Sequence, residues 1–169
     1  SSELDFRFTE PSHQARGYLA RYSIMNLLKP FLVDPAFIGD YDGNWLRIES
    51  HYVNGPAFGG LVGTARGFGR LLQDQLRDRS VLLGAQTRQL LLEQQNDDPG
   101  RAIPMTLGWH VSGKGGRPFL FKEGGGAGYH CEMRLYPDCG IATVVMSNNT
   151  GFDSTAFLDR MDRLFLGNR

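Results

Sequence analysis

Surplus charge of either sign is missing from this chain: 18 lysines and arginines offset 18 aspartates and glutamates, for a formal net charge of zero. Nucleic-acid binding and polybasic membrane attachment both rest on clustered positive charge, so neither partner is expected. Long apolar runs are missing too. Nothing approaches the roughly 18 residues that a membrane span needs, and no signal peptide opens the chain. Cysteine is scarce: Cys131 falls in a strand pattern and Cys139 in the turn at 137–140. Their Cβ vectors need not face each other, so free thiols are expected. Internal repeats and low-complexity tracts are absent.

What is present is an ordinary globular composition, 41% hydrophobic and 21% charged. The 169 residues come close to the roughly 150 of one domain. The first residue is Ser1 rather than a methionine, which suggests a processed or trimmed N-terminus and a single partial domain of something longer.

Three segments follow one another. Residues 1–60 are expected to be irregular: 23–33 reads as a short helix broken by Pro30 or as an irregular apolar segment. Residues 34–60, dense in Gly, Pro, Asp and Asn, read mainly as loop. Residues 61–100 are helical. Behind Thr64 as N-cap, Ala65, Phe68, Leu72 and Leu76 share one helix face. Gly67 and Gly69 weaken that helix by about 1 kcal/mol each relative to alanine, so tertiary packing must hold it. A second helix is predicted over 84–95.

Residues 105–169 carry strands near 117–122, 129–136 and 140–147 and then a helix. In the middle strand Tyr129, Cys131, Met133 and Leu135 alternate with His130, Glu132, Arg134 and Tyr136. The run at 140–147 is apolar on nearly both faces, which predicts a central strand covered on both sides. The last helix has Asp153 as N-cap, a staple of Phe152 on Phe157, a stop at Gly167, and a core stripe of Phe157, Leu158, Met161, Leu164 and Phe165. The fold class is α+β: a three- to four-stranded antiparallel sheet flanked by helices.

Three motifs look like chemistry and fail on context. Residues 108–114 fit the G-x-x-x-x-G-K core of a phosphate loop. Gly115 follows where a magnesium-binding Ser or Thr belongs, and a strand replaces the helix. The His130-Cys131-Glu132 and Pro137-Asp138-Cys139 pair lacks the second cysteine pair of a zinc deaminase, and alternation sends His130 and Cys131 to opposite faces. Residues 123–128 have the glycines of a dinucleotide loop but no helix after them. No metal or cofactor is expected.

The stretch that survives is 117–148, in which an apolar run ends in Lys122 and a loop with four glycines in five residues follows. Glycine lets the backbone approach a ligand closely, and a lysine at the mouth adds positive charge, which together suit an anion or oxyanion. From Lys122 to Asn148 the run resembles, without a gap, the third-motif region of serine beta-lactamase and penicillin-binding-protein-like hydrolases of the class C type. There a K-T-G or H-x-G strand end is followed by glycines, an aromatic, a strand, a Pro-Asp/Glu turn and a strand ending in Asn. Residues 55–72 resemble the segment leading into a helix of that family's helical lobe. The strand at 106–111 and the last helix also match.

The resemblance implies an acyl-enzyme mechanism on a beta-lactam, ester or peptide, within the C-terminal part of a beta-lactamase-like, transpeptidase-like fold. It implies that the Gly125 N–H donates to the oxyanion and that Lys122 supplies positive potential, with Glu123 and Gly124 on the substrate. Glu123 stands where a neutral Thr is usual, and a carboxylate there repels an anionic substrate. The rival reading of this dipeptide is a solvated Lys122–Glu123 pair beside a glycine bulge.

The S-x-x-K nucleophile motif is missing, since no serine here has lysine three residues on; Ser112 has Gly115 in that place. The one Y-x-N, at Tyr52 to Asn54, lies too near the 55–72 segment to be the second motif, though Asn54 and Phe58 are expected to line a cleft. Nucleophile and base are therefore expected N-terminal to Ser1, and this chain is expected to be inactive alone. The alternative is a non-catalytic binding module derived from the same fold. Partners follow: a small-molecule or peptide substrate in the intact protein, and a homo-oligomer formed through apolar surface and strand edges that missing elements would otherwise cover. The resemblance implies a periplasmic or secreted setting.

Overall fold

The alternation read at 129–136 becomes the middle of a four-stranded antiparallel sheet. In the computed structural model, which describes residues 3–7, 11–52, 55, 59–113 and 117–167, two smaller sheets precede it. Strand β1 (Leu4–Asp5) pairs with β5 (Val62–Gly63). Strands β2 (Gly17–Ala20), β3 (Ile38–Asp42) and β4 (Trp45–Ile48) form an antiparallel sheet in the order β2-β4-β3. The main sheet runs β6 (His110–Ser112), β7 (Phe119–Gly126), β8 (Tyr129–Tyr136), β9 (Ile141–Ser147) in that order, every pair antiparallel.

Helices cover both faces of the main sheet. Helix α1 (Ile24–Leu32) lies in the first sheet's connection, α2 (Ala65–Leu76) and α3 (Ala85–Leu92) follow β5, and α4 (Ser154–Leu166) closes the fold. Leu72 of α2 packs with Trp109, Leu120 and Leu135, flanked by Met133, Ala142 and Val144. Helix α4 lies on the opposite face, over Glu132, Arg134 and Tyr136. The two-residue period of β8 thus hands its odd residues to α2 and its even residues to α4. Among the described residues no helix is long and apolar enough to cross a membrane.

Helix ends form where the local chemistry dictates. Thr64 Oγ1 accepts from the Gly67 N–H at 3.0 Å and Asp153 from the Ala156 N–H at 2.8 Å, satisfying donors that a first turn leaves open. Phe152 and Phe157 meet at 5.5 Å between ring centroids as the staple requires, and Gly167 takes φ 72° after the last turn. In the last turn of α2, Asp74 accepts from the Ser80 hydroxyl and the Val81 and Leu82 N–H groups beyond the helix, and these bonds hold its carboxyl below the usual range. Both thiols are free.

Four expectations change. Residues 1–60, read as largely irregular, contain a three-stranded sheet, and of the two readings for 23–33 the helical one holds. Pro30 does not break α1. The helix closes around it, and the Asn26 carbonyl that loses its i+4 donor accepts from Lys29 Nζ at 3.3 Å. The run at 140–147 is covered on both faces, yet β9 is an edge strand among the described residues, because burial of faces says nothing about pairing of edges. In α4 the buried residues are Ser154, Leu158 and Asp162, while Phe157, Leu164 and Phe165 are exposed. A buried arginine on β8 selects the polar stripe of that helix over the apolar one.

Candidate active site

The glycine run is strand rather than loop as far as Gly126. Gly124, Gly125 and Gly126 pair with Cys131, His130 and Tyr129, and only Ala127 and Gly128 turn the chain. Gly128 has φ +89° at the second turn position and Ala127 a negative φ, the pattern of a type II turn. The turn is clamped from outside. Gly128 N–H donates to Thr150 Oγ1 at 2.7 Å, Thr150 Oγ1–H donates to the Gly126 carbonyl at 2.8 Å, and Tyr18 N–H reaches the Gly128 carbonyl at 3.1 Å. The backbones of Gly17 and Gly128 cross so closely that a Cβ on Gly128 would stand 2.6 Å from Gly17 Cα.

One edge of this strand is open. Strand β6 reaches only from Phe119 to Phe121, and from 122 to 126 the far edge of β7 has no strand partner among the described residues. A two-residue turn aims the N–H and C=O of Gly126 and Tyr129 at each other, so alternation turns those of Gly125 and Glu123 to the open edge. The Gly125 N–H therefore faces outward from a rigid hairpin.

Beside that edge lies a cavity of about 430 Å³ lined by His110, Phe121, Glu123, Gly124, Gly125 and His130. The His110 ring packs on Phe121 at 5.1 Å. Glu123, half exposed, pairs with His130 through Oε1 to Nε2 at 2.9 Å. Lys122 shares the α2 face with Leu120, is exposed, and has no hydrogen bond or ion pair among the described residues. Lys122 and Glu123 thus point to opposite faces of β7 and form no pair with each other. Asn54 and Phe58 lie outside the described residues. Cys131 donates to the Gly124 carbonyl at 3.4 Å, and burial pushes its thiol up, away from the thiolate that a cysteine nucleophile needs.

Sequence reasoning missed what holds the cavity wall. His130 Nε2 lies 3.0 Å from Ser154 Oγ, and Ser154 Oγ–H donates to Glu132 Oε2 at 2.8 Å, joined there by Thr155 Oγ1–H at 3.0 Å. Glu132 Oε1 accepts from Arg134 Nε at 2.6 Å, and Arg134 extends to Asp159 at 2.7 Å and Asp162 at 3.2 Å. Tyr136 O–H donates to Asp162 at 2.6 Å. Burial works against the Arg134 charge, but bonds to Glu132, Tyr136 and Asp159 outweigh it and hold the guanidinium above its ordinary value. Burial first, then the Asp162 carboxylate, pushes the Tyr136 phenol up. The available signal was two charged residues on a strand beside an apolar one, since buried charge must be paired. The His130 side chain is thereby fixed through α4.

A family model described as Beta-lactamase matches residues 5–167. No curated protein matches the chain.

Proposed function

The chain belongs to the Beta-lactamase family, and on that premise we propose that it is the C-terminal part of a serine hydrolase of the class C type, acting through an acyl-enzyme on a beta-lactam, ester or peptide. The observation that carries this reading is the open edge of β7, with the Gly125 N–H facing outward. Attack of a serine Oγ on a carbonyl carbon puts negative charge on the carbonyl oxygen, and a preorganised N–H stabilises that charge without reorganising. Gly125 supplies one such donor. Lys122 adds positive potential from the other face of the strand, and Glu123 and Gly124 border the substrate. The serine and its lysine, absent from these 169 residues, lie in a preceding segment.

Two measurements test this. The chain alone should not turn over nitrocefin or a chromogenic ester; turnover abolished by a serine-directed inhibitor would overturn the assignment of the nucleophile elsewhere. In a gene product that carries S-x-x-K, Gly125→Pro should lower kcat about 10²–10³-fold, the usual loss for one oxyanion donor. Proline costs no ladder bond there, because the N–H it removes faces the open edge rather than β8, though its Cβ would stand 3.2 Å from His130 Nδ1, so the fold of the variant is checked alongside kcat. An unchanged kcat would remove Gly125 from the mechanism.

A second reading, a binding module that kept the cleft and lost the chemistry, draws on Glu123, whose pairing with His130 places a carboxylate at the cavity. Upstream S-x-x-K and Y-x-N would exclude that module, and their absence would favour it.

A further inference from the structure

The side chains of Glu123 and His130 at the cavity beside Gly124 and Gly125 present acceptors. A serine hydroxyl has one proton, and Ser154 gives its proton to Glu132 Oε2, a carboxylate that can only accept. Ser154 Oγ must then accept from His130 Nε2 at 3.0 Å, as must Glu123 Oε1 at 2.9 Å. Both contacts require the ring proton on Nε2. In the neutral ring Nδ1 is left as a bare acceptor, and it lies over Gly125, 3.2 Å from where a Cβ would stand. Glu123 is held through Oε1, and its other oxygen has no partner among the described residues. The carbonyls of Glu123 and Gly125 share the open edge with the N–H groups of the same residues, the Gly125 N–H being the donor assigned to the oxyanion. Further along the same face the lining is aromatic, His110 on Phe121, a surface that also attracts a cation. No lysine or arginine is among the lining residues, because alternation sends Lys122 to the far face.

Taking the β7 edge as the acyl site proposed above, we infer that this cavity binds a primary ammonium carried by the substrate next to its scissile carbonyl. The preferred substrate is an amino ester or a peptide with a free amine, and a carboxylate in that place is excluded. An ammonium offers three donors to the acceptors present, and its charge opposes that of Glu123. A carboxylate would meet acceptors and like charge.

The test uses the 169-residue chain and three small amides of one frame: alaninamide with an ammonium, propionamide with no charge, and succinamate with a carboxylate. Each is titrated while the Gly124 and Gly125 amide signals are followed by NMR. Alaninamide should bind at least tenfold tighter than propionamide, and succinamate weakest. Glu123→Gln should erase the preference, and Glu123→Lys should reverse it toward succinamate. Succinamate binding as tightly as alaninamide, or alaninamide affinity unchanged in Glu123→Gln, would overturn the inference. Propionamide moving the Gly125 amide with no charge preference would overturn it while leaving the acyl site standing. If no amide moves either signal, both readings fall.

Discussion

Gly126 and Gly128 stand two residues apart in one glycine run, and the fold asks opposite things of them. Gly128 takes φ +89°, and a Cβ there would collide with the Gly17 backbone. Gly126 is in strand geometry with nothing within 4 Å of the position a Cβ would occupy. Gly128→Ala should therefore cost about 2–4 kcal/mol from backbone strain and overlap. Gly126→Ala should change stability by no more than about 1 kcal/mol, and toward stabilisation, because it restricts the unfolded chain. Urea unfolding midpoints of the two variants decide the matter, and equal losses would refute the clamp on the hairpin tip. The glycine count was plain in the sequence. Which glycine was indispensable was not, because its partner Gly17 is remote along the chain. Lys122 and Glu123 repeat the lesson: their adjacency suggested a pair, and strand alternation, equally legible, separates them.

At the scale of elements, α4 meets β8 through charge. Arg134 is buried between Glu132 and Asp162, so Arg134→Met strands two carboxylates without their cation and should cost about 3–5 kcal/mol by urea unfolding. A loss below about 1 kcal/mol would mean that water already reaches the group. The same network sets an alkaline limit. Tyr136 is held above the usual phenol value of about 10 by burial and by Asp162. The folded state keeps that proton where the unfolded chain has lost it, so the stability it confers is complete below about pH 10 and declines as pH rises further. Tyr136→Phe should flatten the decline in chemical unfolding followed across that range. Much of this layer was readable: the caps of α2 and α4, the staple, the stop at Gly167 and both faces of β8 follow from local chemistry. The face α4 buries was not, because apolar periodicity ranks Phe157, Leu164 and Phe165 above Ser154 and Asp162, and only the buried arginine reverses that order. The β3–β4 hairpin did carry a signal, Gly43-Asn44, with Gly43 at φ +56° in its two-residue turn. It was submerged in a region read as loop.

For the whole molecule, the surface left uncovered is what matters. Helix α1 is amphipathic the wrong way round for a free surface. Ile24, Leu27, Leu28 and Phe31, at i, i+3, i+4 and i+7, form one stripe that faces outward, with Phe31 85% exposed, while the buried residue is Asn26. Phe165 and Leu164 of α4 are exposed as well, and β9 offers an unpaired edge among the described residues. Contiguous apolar surface of this kind normally meets a partner, and strand edges invite pairing. The chain on its own should therefore self-associate, its copies covering one another. Light scattering over a dilution series should give a mass above that of one chain at high concentration, falling on dilution. Leu27→Glu together with Phe31→Glu should shift the series to monomer without altering the unfolding midpoint, since both side chains already face solvent. A clean wild-type monomer at high concentration would show that the α1 stripe is tolerated in water. An oligomer indifferent to the two substitutions would move the interface to the β9 edge or to α4.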